Sequence, residues 1–231
     1  MHMKVFWTII ILAIIAALVV LIFYPFDFEN GLNGDGNGVS NGTDNGTSTE
    51  DVDIDAIVLD QSHSSPVNGF SIKYGDELGF LVTDEQINLL GYSAVCDTET
   101  SVGCVVFLDS LLPGRNFHGA SVDVGILADI ETEASCIEMR SGEQDELSAR
   151  TIDDVEFSAF EYGTAATSRQ VTGLRYRAFE NGRCYQISRL VETTSFDVYE
   201  PGTIREFTDG ERGELEDLLD RVINSFEFLE E

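Results

Sequence analysis

Apolar positions fall into three successive patterns along the chain. Val5 to Tyr24 reads VFWTIIILAIIAALVVLIFY, twenty residues without a charge. As a helix this run spans roughly 30 Å, the thickness of a bilayer's hydrocarbon core. Trp7 and Tyr24 stand near its ends, where amphipathic rings favour the membrane interface. Residues 30–49 then hold five Asn-Gly pairs, with Leu32 and Val39 as their only large apolar residues. With no apolar face to bury, this stretch is expected to be a disordered linker, extending to about Ser65. From Pro66 onward the pattern alternates and becomes that of a folded domain of ordinary size.

Within that domain, Phe70 to Tyr74 alternates as a strand. Thr83 and Gln86 form a capping-box pattern that opens a helix to about Leu90, with Gly91 as its stop. Tyr92–Cys96 and Val102–Leu108 read as the two arms of a hairpin. Val122, Val124 and Ile126 share one face of a strand from Ala120 to Ile126. Val155 to Tyr162, Leu174 to Glu180 and Arg183 to Val191 complete a sheet. Asn181-Gly182 supplies the positive φ of a type I′ turn, so a two-residue hairpin pairs Glu180 with Arg183, Ala178 with Tyr185, Tyr176 with Ile187 and Leu174 with Arg189. That face is mostly apolar and should meet the core. The opposite face sets Arg175, Arg177 and Phe179 across from Ser188, Gln186 and Cys184. Leu215, Leu218, Leu219, Val222, Ile223 and Phe226 follow helical spacing behind a capping box of Thr208 and Glu211.

The expected fold class is therefore α+β, an antiparallel β-sheet with packed helices, preceded by one transmembrane helix and a disordered linker. Its parts are a cytoplasmic tail (1–4), a transmembrane anchor (5–24), an Asn/Gly-rich acidic linker (25–65) and an extracytoplasmic domain (66–231). Lys4 precedes the apolar run and Asp27 and Glu29 follow it, so the positive-inside bias puts the domain outside the plasma membrane. A cleaved signal peptide is the competing reading. The run is long for one, and Phe23-Tyr24-Pro25-Phe26 offers no small-residue cleavage site.

Charge narrows the partners. The chain carries 42 acids against 13 bases, for a net charge of −29, and every acid lies beyond residue 24. Such a field repels nucleic acid, whose binding needs clustered Lys and Arg, and it repels anionic lipid. The two lysines against eleven arginines and the spread of acids fit solvation in high salt, with a diffuse divalent-cation surface as the functional alternative. The membrane through residues 5–24 and an unidentified extracytoplasmic protein or ligand are the partners expected.

Motifs of catalysis are missing. The sequence has no Walker loop, dinucleotide fingerprint, nucleophile elbow, zincin helix or Cys-x-x-Cys pair, so no cofactor and no metal site is implied. Residues 33–44 imitate the spacing of a calcium hand, without its usual Asp at the first position, its Glu at the twelfth, or flanking helices. Asn41 and Asn45 head glycosylation sequons. His63 belongs to a polar linker end. His118, before Ser121, keeps open a hydrolase using that histidine or a pair of carboxylates.

Four cysteines in an exported domain fit two disulfides among three pairings. Cys96–Cys104, closing a hairpin, and Cys136–Cys184 are the pairs expected, against the alternative of four buried thiols. The nearest approach to a ligand site is the arginine face. Arg175 and Arg177, across from Gln186 and Ser188, would hold a carboxylate or an acidic partner segment bidentately. The plainer alternative is neutralisation by the protein's own acids, for instance from Glu143 to Glu146.

Residues 116–124 (NFHGASVDV), 176–185 (YRAFENGRCY), 200–207 (EPGTIREF) and 219–226 (LDRVINSF) together resemble an uncharacterised family of membrane-anchored extracytoplasmic bacterial domains. The opening strand and the terminal helix with its Ser-Phe end resemble, more loosely, the PsbP/Mog1-like fold. The resemblance implies a fold and a location and transfers no catalytic residue. The function expected is a membrane-anchored extracytoplasmic domain with a binding or structural role.

Overall fold

A computed structural model describes residues 52–229, all within one compact unit. The anchor at 5–24, the calcium-hand spacing at 33–44 and the sequons lie outside the described residues. Among the described residues no helix is long and apolar enough to cross a membrane.

Among the described residues, ten strands and three α-helices follow one another as β1 (Gln61–Ser65), β2 (Phe70–Tyr74), β3 (Gly79–Leu81), α1 (Asp84–Leu90), β4 (Ser101–Leu108), β5 (Phe117–Leu127), α2 (Glu133–Cys136), β6 (Glu143–Ile152), β7 (Val155–Ala166), β8 (Arg169–Glu180), β9 (Arg183–Thr194), α3 (Asp209–Asn224) and β10 (Glu227–Phe228). Seven strands form one antiparallel sheet in the order β3-β4-β5-β9-β8-β7-β6, and β1-β2-β10 form a small second sheet. The α+β class with an antiparallel sheet is what the alternation predicts.

The β8–β9 hairpin shows how local chemistry sets register. Asn181 and Gly182 both take positive φ, 51° and 73°, and the strands pair from Glu180↔Arg183 outward through Leu174↔Arg189. Tyr176, Ala178, Tyr185 and Ile187 accordingly enter the main core. Gly173 lets β8 run close to β9, because a Cβ there would stand 1.9 Å from the Arg189 carbonyl oxygen.

Helix α3 starts at the Thr208–Glu211 capping box, in which each side chain satisfies the other residue's backbone N–H. Its stripe of Leu215, Leu218, Leu219, Val222 and Ile223 is fully buried against one face of the large sheet, with Phe226 beyond the helix end. Ion pairs frame that stripe: Arg189 to Glu216 at 3.2 Å and to Asp220 at 3.0 Å, and Arg150 to Asp220 at 2.9 Å. Phe226 stacks on Phe70 of β2 with centroids 5.6 Å apart, joining the small sheet to the same core.

Three expectations need correction. The folded domain begins before residue 66. Ile54 and Ile57 are buried in the core, Arg221 donates to both of their carbonyls, and β1 pairs along β2. Too few apolar residues mark this segment for its own pattern to show it; long-range pairing places it. His63 is likewise no free linker residue, since its ring stacks on Phe80 at 4.3 Å and burial lowers its pKa. Tyr92–Cys96 is not a strand. It is a turn after α1, with the amides of Val95 and Cys96 donating to the Tyr92 carbonyl, and the partners of β4 are β3 and β5.

Candidate functional site

Strand alternation gives every inner-face residue of the large sheet an outer-face neighbour. On β5, Val122 and Val124 point to α3, which turns Asp123 outward. The pairings align Cys104 on β4, Asp123 on β5, Ser188 on β9, Arg175 on β8 and Phe160 on β7 as one lateral row. The next row sets Gly125, Gln186, Arg177 and Ser158 side by side. These rows are not surface. Asp123, Ser188, Gln186 and Arg177 are all at most 2% exposed.

The 92–99 segment roofs one end of this face. Ile87, Val95, Cys96 and Leu81 pack on Cys104, Val106 and Leu190 in a second apolar cluster. The Cys96–Cys104 disulfide ties the roof to β4, the Ser121 hydroxyl donates to the Val95 carbonyl at 2.5 Å, and the Asp97 amide donates to Asp123 Oδ2 at 3.3 Å. Between roof and sheet lies a pocket of about 270 Å³ whose walls include Asp97, Glu99, Asp123, Tyr162, Arg175 and Ser188.

Its electrostatics are unusual for a sheet interior. Burial pushes the Asp123 carboxyl up to about 7. The Ser101 hydroxyl and the Asp97 amide favour its ionised form, the Asp97 charge opposes it, and Arg175 assists it. Asp123 Oδ1, Ser188 Oγ and Arg175 Nε are buried without a partner at hydrogen-bond geometry, as is Ser101 Oγ, so the Ser101 hydroxyl acts on the Asp123 carboxyl without a well-formed bond. The Arg175 guanidinium lies 3.8 Å above the Tyr162 ring, a cation–π contact that fixes its plane. Cys96 and Cys104 sulfurs and an Asp123 oxygen stand within 4.8 Å of one another. The sulfurs are bonded to each other and offer no thiolate, so this trio does not fit a metal ion.

The four predicted ligand-binding residues separate into two pairs. Arg175 and Ser188 line the pocket with Asp123. Arg177 stands in the next row beside Gln186, with its Nη2 donating to Glu143 Oε2 at 2.5 Å, both side chains fully buried. Glu143 Oε1 lies 4.0 Å from Arg175 Nη1, beyond hydrogen-bond length. The Arg177 guanidinium also sits 4.3 Å from the Phe160 ring centroid. Burial lowers its pKa, Glu143 raises it, and Arg140 and Arg175 lower it further. Glu143 is thus committed to Arg177, which leaves Arg175 the more weakly partnered of the two.

Both disulfides join the pairs expected from the sequence, Cys96–Cys104 and Cys136–Cys184. The second holds α2 against β9. His118 and Ser121 do not act on each other: His118 Nε2 lies 2.5 Å from Thr194 Oγ1, while Ser121 is bonded to Val95. Asp123, Tyr162 and Asp97 are not singled out by the sequence pattern, whereas Glu143 begins the acidic stretch expected to neutralise the arginines and does pair with Arg177. Asp123 carried a signal nonetheless, as a lone carboxylate at an outward position between valines, in a strand flanked by buried neighbours.

The molecule defined here is a disulfide-stapled α+β domain with a polar pocket on the outer face of its main sheet. No known protein family matches the sequence, and no curated protein matches it. Among solved structures the chain is similar to cyanobacterial PsbP (CyanoP) from Synechocystis sp. PCC 6803, 13% identical, with a TM-score of 0.40 over 73% of this chain and 91% of that one. At that distance the likeness carries no functional argument.

Proposed function

We propose that residues 5–24 anchor the chain in the plasma membrane as a single-pass protein, and that its α+β domain acts outside the cytoplasm by binding. The observation that carries the binding reading is the row Asp123–Ser188–Arg175. Asp123, Ser188 and Arg175, each with a buried side-chain atom that has no hydrogen-bond partner, line one pocket. Leaving such atoms unpartnered is costly, and sites that take a polar ligand concentrate them. Two disulfides fit a compartment outside the cytoplasm. The twenty-residue apolar run and the bias of Lys4 against Asp27 and Glu29 support the anchor and its orientation.

Two experiments test this. Protease added to intact cells should cut between residues 30 and 53 and shed the domain; cleavage only after lysis reverses the topology. The full chain in detergent should gain melting temperature with a member of a library of small polar molecules, and Arg175→Gln should lose that gain. A library without any stabilising member removes the pocket as a binding site.

A further inference from the structure

We propose that the pocket beneath the 92–99 segment takes a small zwitterion, a molecule of amino-acid size carrying both an ammonium and a carboxylate. This rests on the reading of the pocket as a binding site and names the chemistry it selects. The walls are of opposite sign. Asp123, with Asp97 and Glu99 of the roof, supplies carboxylates on one side, and Arg175 supplies a guanidinium on the other. Ser188, between them in the cross-strand row, adds a hydroxyl able to donate or accept. Adjacent strands lie about 4.8 Å apart, so Asp123 and Arg175 start from backbones roughly 10 Å apart and reach toward each other across Ser188.

Each simpler ligand meets a group that opposes it. A metal ion would face the Arg175 guanidinium, which is held in place by the Tyr162 ring. A simple anion would face the carboxylates of Asp123, Asp97 and Glu99. An apolar molecule would strand the Asp123, Ser188 and Arg175 atoms in a dry site. A zwitterion suits both signs: its ammonium faces the carboxylates of Asp123, Asp97 and Glu99, and its carboxylate faces Arg175, whose own carboxylate neighbour is held by Arg177. The volume of about 270 Å³ lies just below the range of sites for drug-sized ligands, so the fitting molecule is smaller than those.

The test uses the full chain in detergent at pH 8, with glycine, L-alanine, L-proline and L-glutamine against acetate, methylammonium and calcium, each at millimolar concentration. At least one amino acid should raise the melting temperature and give a calorimetric isotherm, while acetate and methylammonium alone give neither. Asp123→Asn and Ser188→Ala should each weaken the binding tenfold or more, whereas Gln170→Ala, on an exposed position of β8, should leave it unchanged. Near-ultraviolet circular dichroism checks that each variant is folded. Acetate or methylammonium binding as tightly as the amino acid overturns the zwitterion and keeps the site. Calcium binding that depends on Asp123 overturns it in favour of a cation site. Amino-acid binding that survives both Asp123→Asn and Ser188→Ala moves the ligand elsewhere and overturns the assignment. If neither these compounds nor the wider library of polar molecules bind, the pocket is no binding site at all.

Discussion

The inner and outer faces of the seven-stranded sheet come from the same strands, residue by alternate residue, and they are buried in different ways. On the inner face Val122, Tyr176, Ile187 and Phe157 meet the stripe of α3, and charges stay at its margin in Arg150, Arg189, Glu216 and Asp220. On the outer face, Asp123, Ser188, Gln186 and Arg177 are buried to the same degree under the 92–99 roof, the short helices α1 and α2 and two disulfides rather than one long helix. The inner face gains from removing apolar area from water. The outer face retains charged groups whose burial opposes stability. Buried charged groups of this kind are found at functional sites as well as in structural networks, which is why the Asp123–Ser188–Arg175 row carries the binding proposal.

The contrast can be broken at either face. Phe226→Ala on the inner side should cost about 3–5 kcal/mol, with no pH dependence beyond that of the parent. Urea unfolding should show a lower midpoint with an unchanged slope; a loss below about 1 kcal/mol would mean that the aromatic cluster around Phe70 and Phe157 is not the core.

Asp123→Asn should have the opposite sign. Its carboxyl stands near 7 in the folded protein against 3.8 unfolded. Between those values folding binds a proton, so stability falls as pH rises from about 4 to about 7, and the cost is complete above 7. Asn removes it while keeping an oxygen for the Asp97 amide. The variant should gain up to about 4 kcal/mol at pH 8, with the gain shrinking toward zero near pH 4. The Asp97 charge beside the carboxyl sharpens this effect, and the Ser101 hydroxyl, the Asp97 amide and Arg175 limit it. A pH-independent difference between the two proteins would show that folding does not raise the Asp123 pKa.

Glu143→Gln leaves Arg177 buried beside a neutral group and should cost about 3 kcal/mol at neutral pH. Adding Arg177→Met should recover much of that loss, because the pair holds itself together more than it holds the fold. Additive losses in the double variant would contradict this. Last, replacing Cys96 and Cys104 by Ser opens a nine-residue loop, worth about 2.6 kcal/mol by loop entropy. Because this bond fixes the roof, hydrogen exchange should accelerate at residues 92–99 before it changes in α3. Uniform acceleration would mean that roof and helix open together.

How much of this was legible from residues alone varies with the range of the interaction. The β8–β9 register followed from Asn181-Gly182, because two left-handed residues admit one hairpin geometry, and alternation then sorted every side chain between the faces. Helix α3 followed from its apolar spacing and the Thr208–Glu211 cap. Both are local. Strand β6 was read as an acidic stretch, since its exposed face hides the pattern and only pairing with β7 makes it a strand. The 92–96 segment, apolar like a hairpin arm, became a turn because α1 and the disulfide hold it over β4.

The sequence by itself determined the hairpin, the terminal helix, the α+β class and the acidic, arginine-biased charge, since each depends on neighbours within about one turn or one strand. The tertiary structure alone decided that Arg177 faces Glu143 rather than solvent, and that Asp123, Ser188 and Arg175 meet in one row beneath Asp97. Those groups lie up to 91 positions apart, between Asp97 and Ser188. Only strand order, which arises from the packing of whole faces rather than from any short pattern, brings them together.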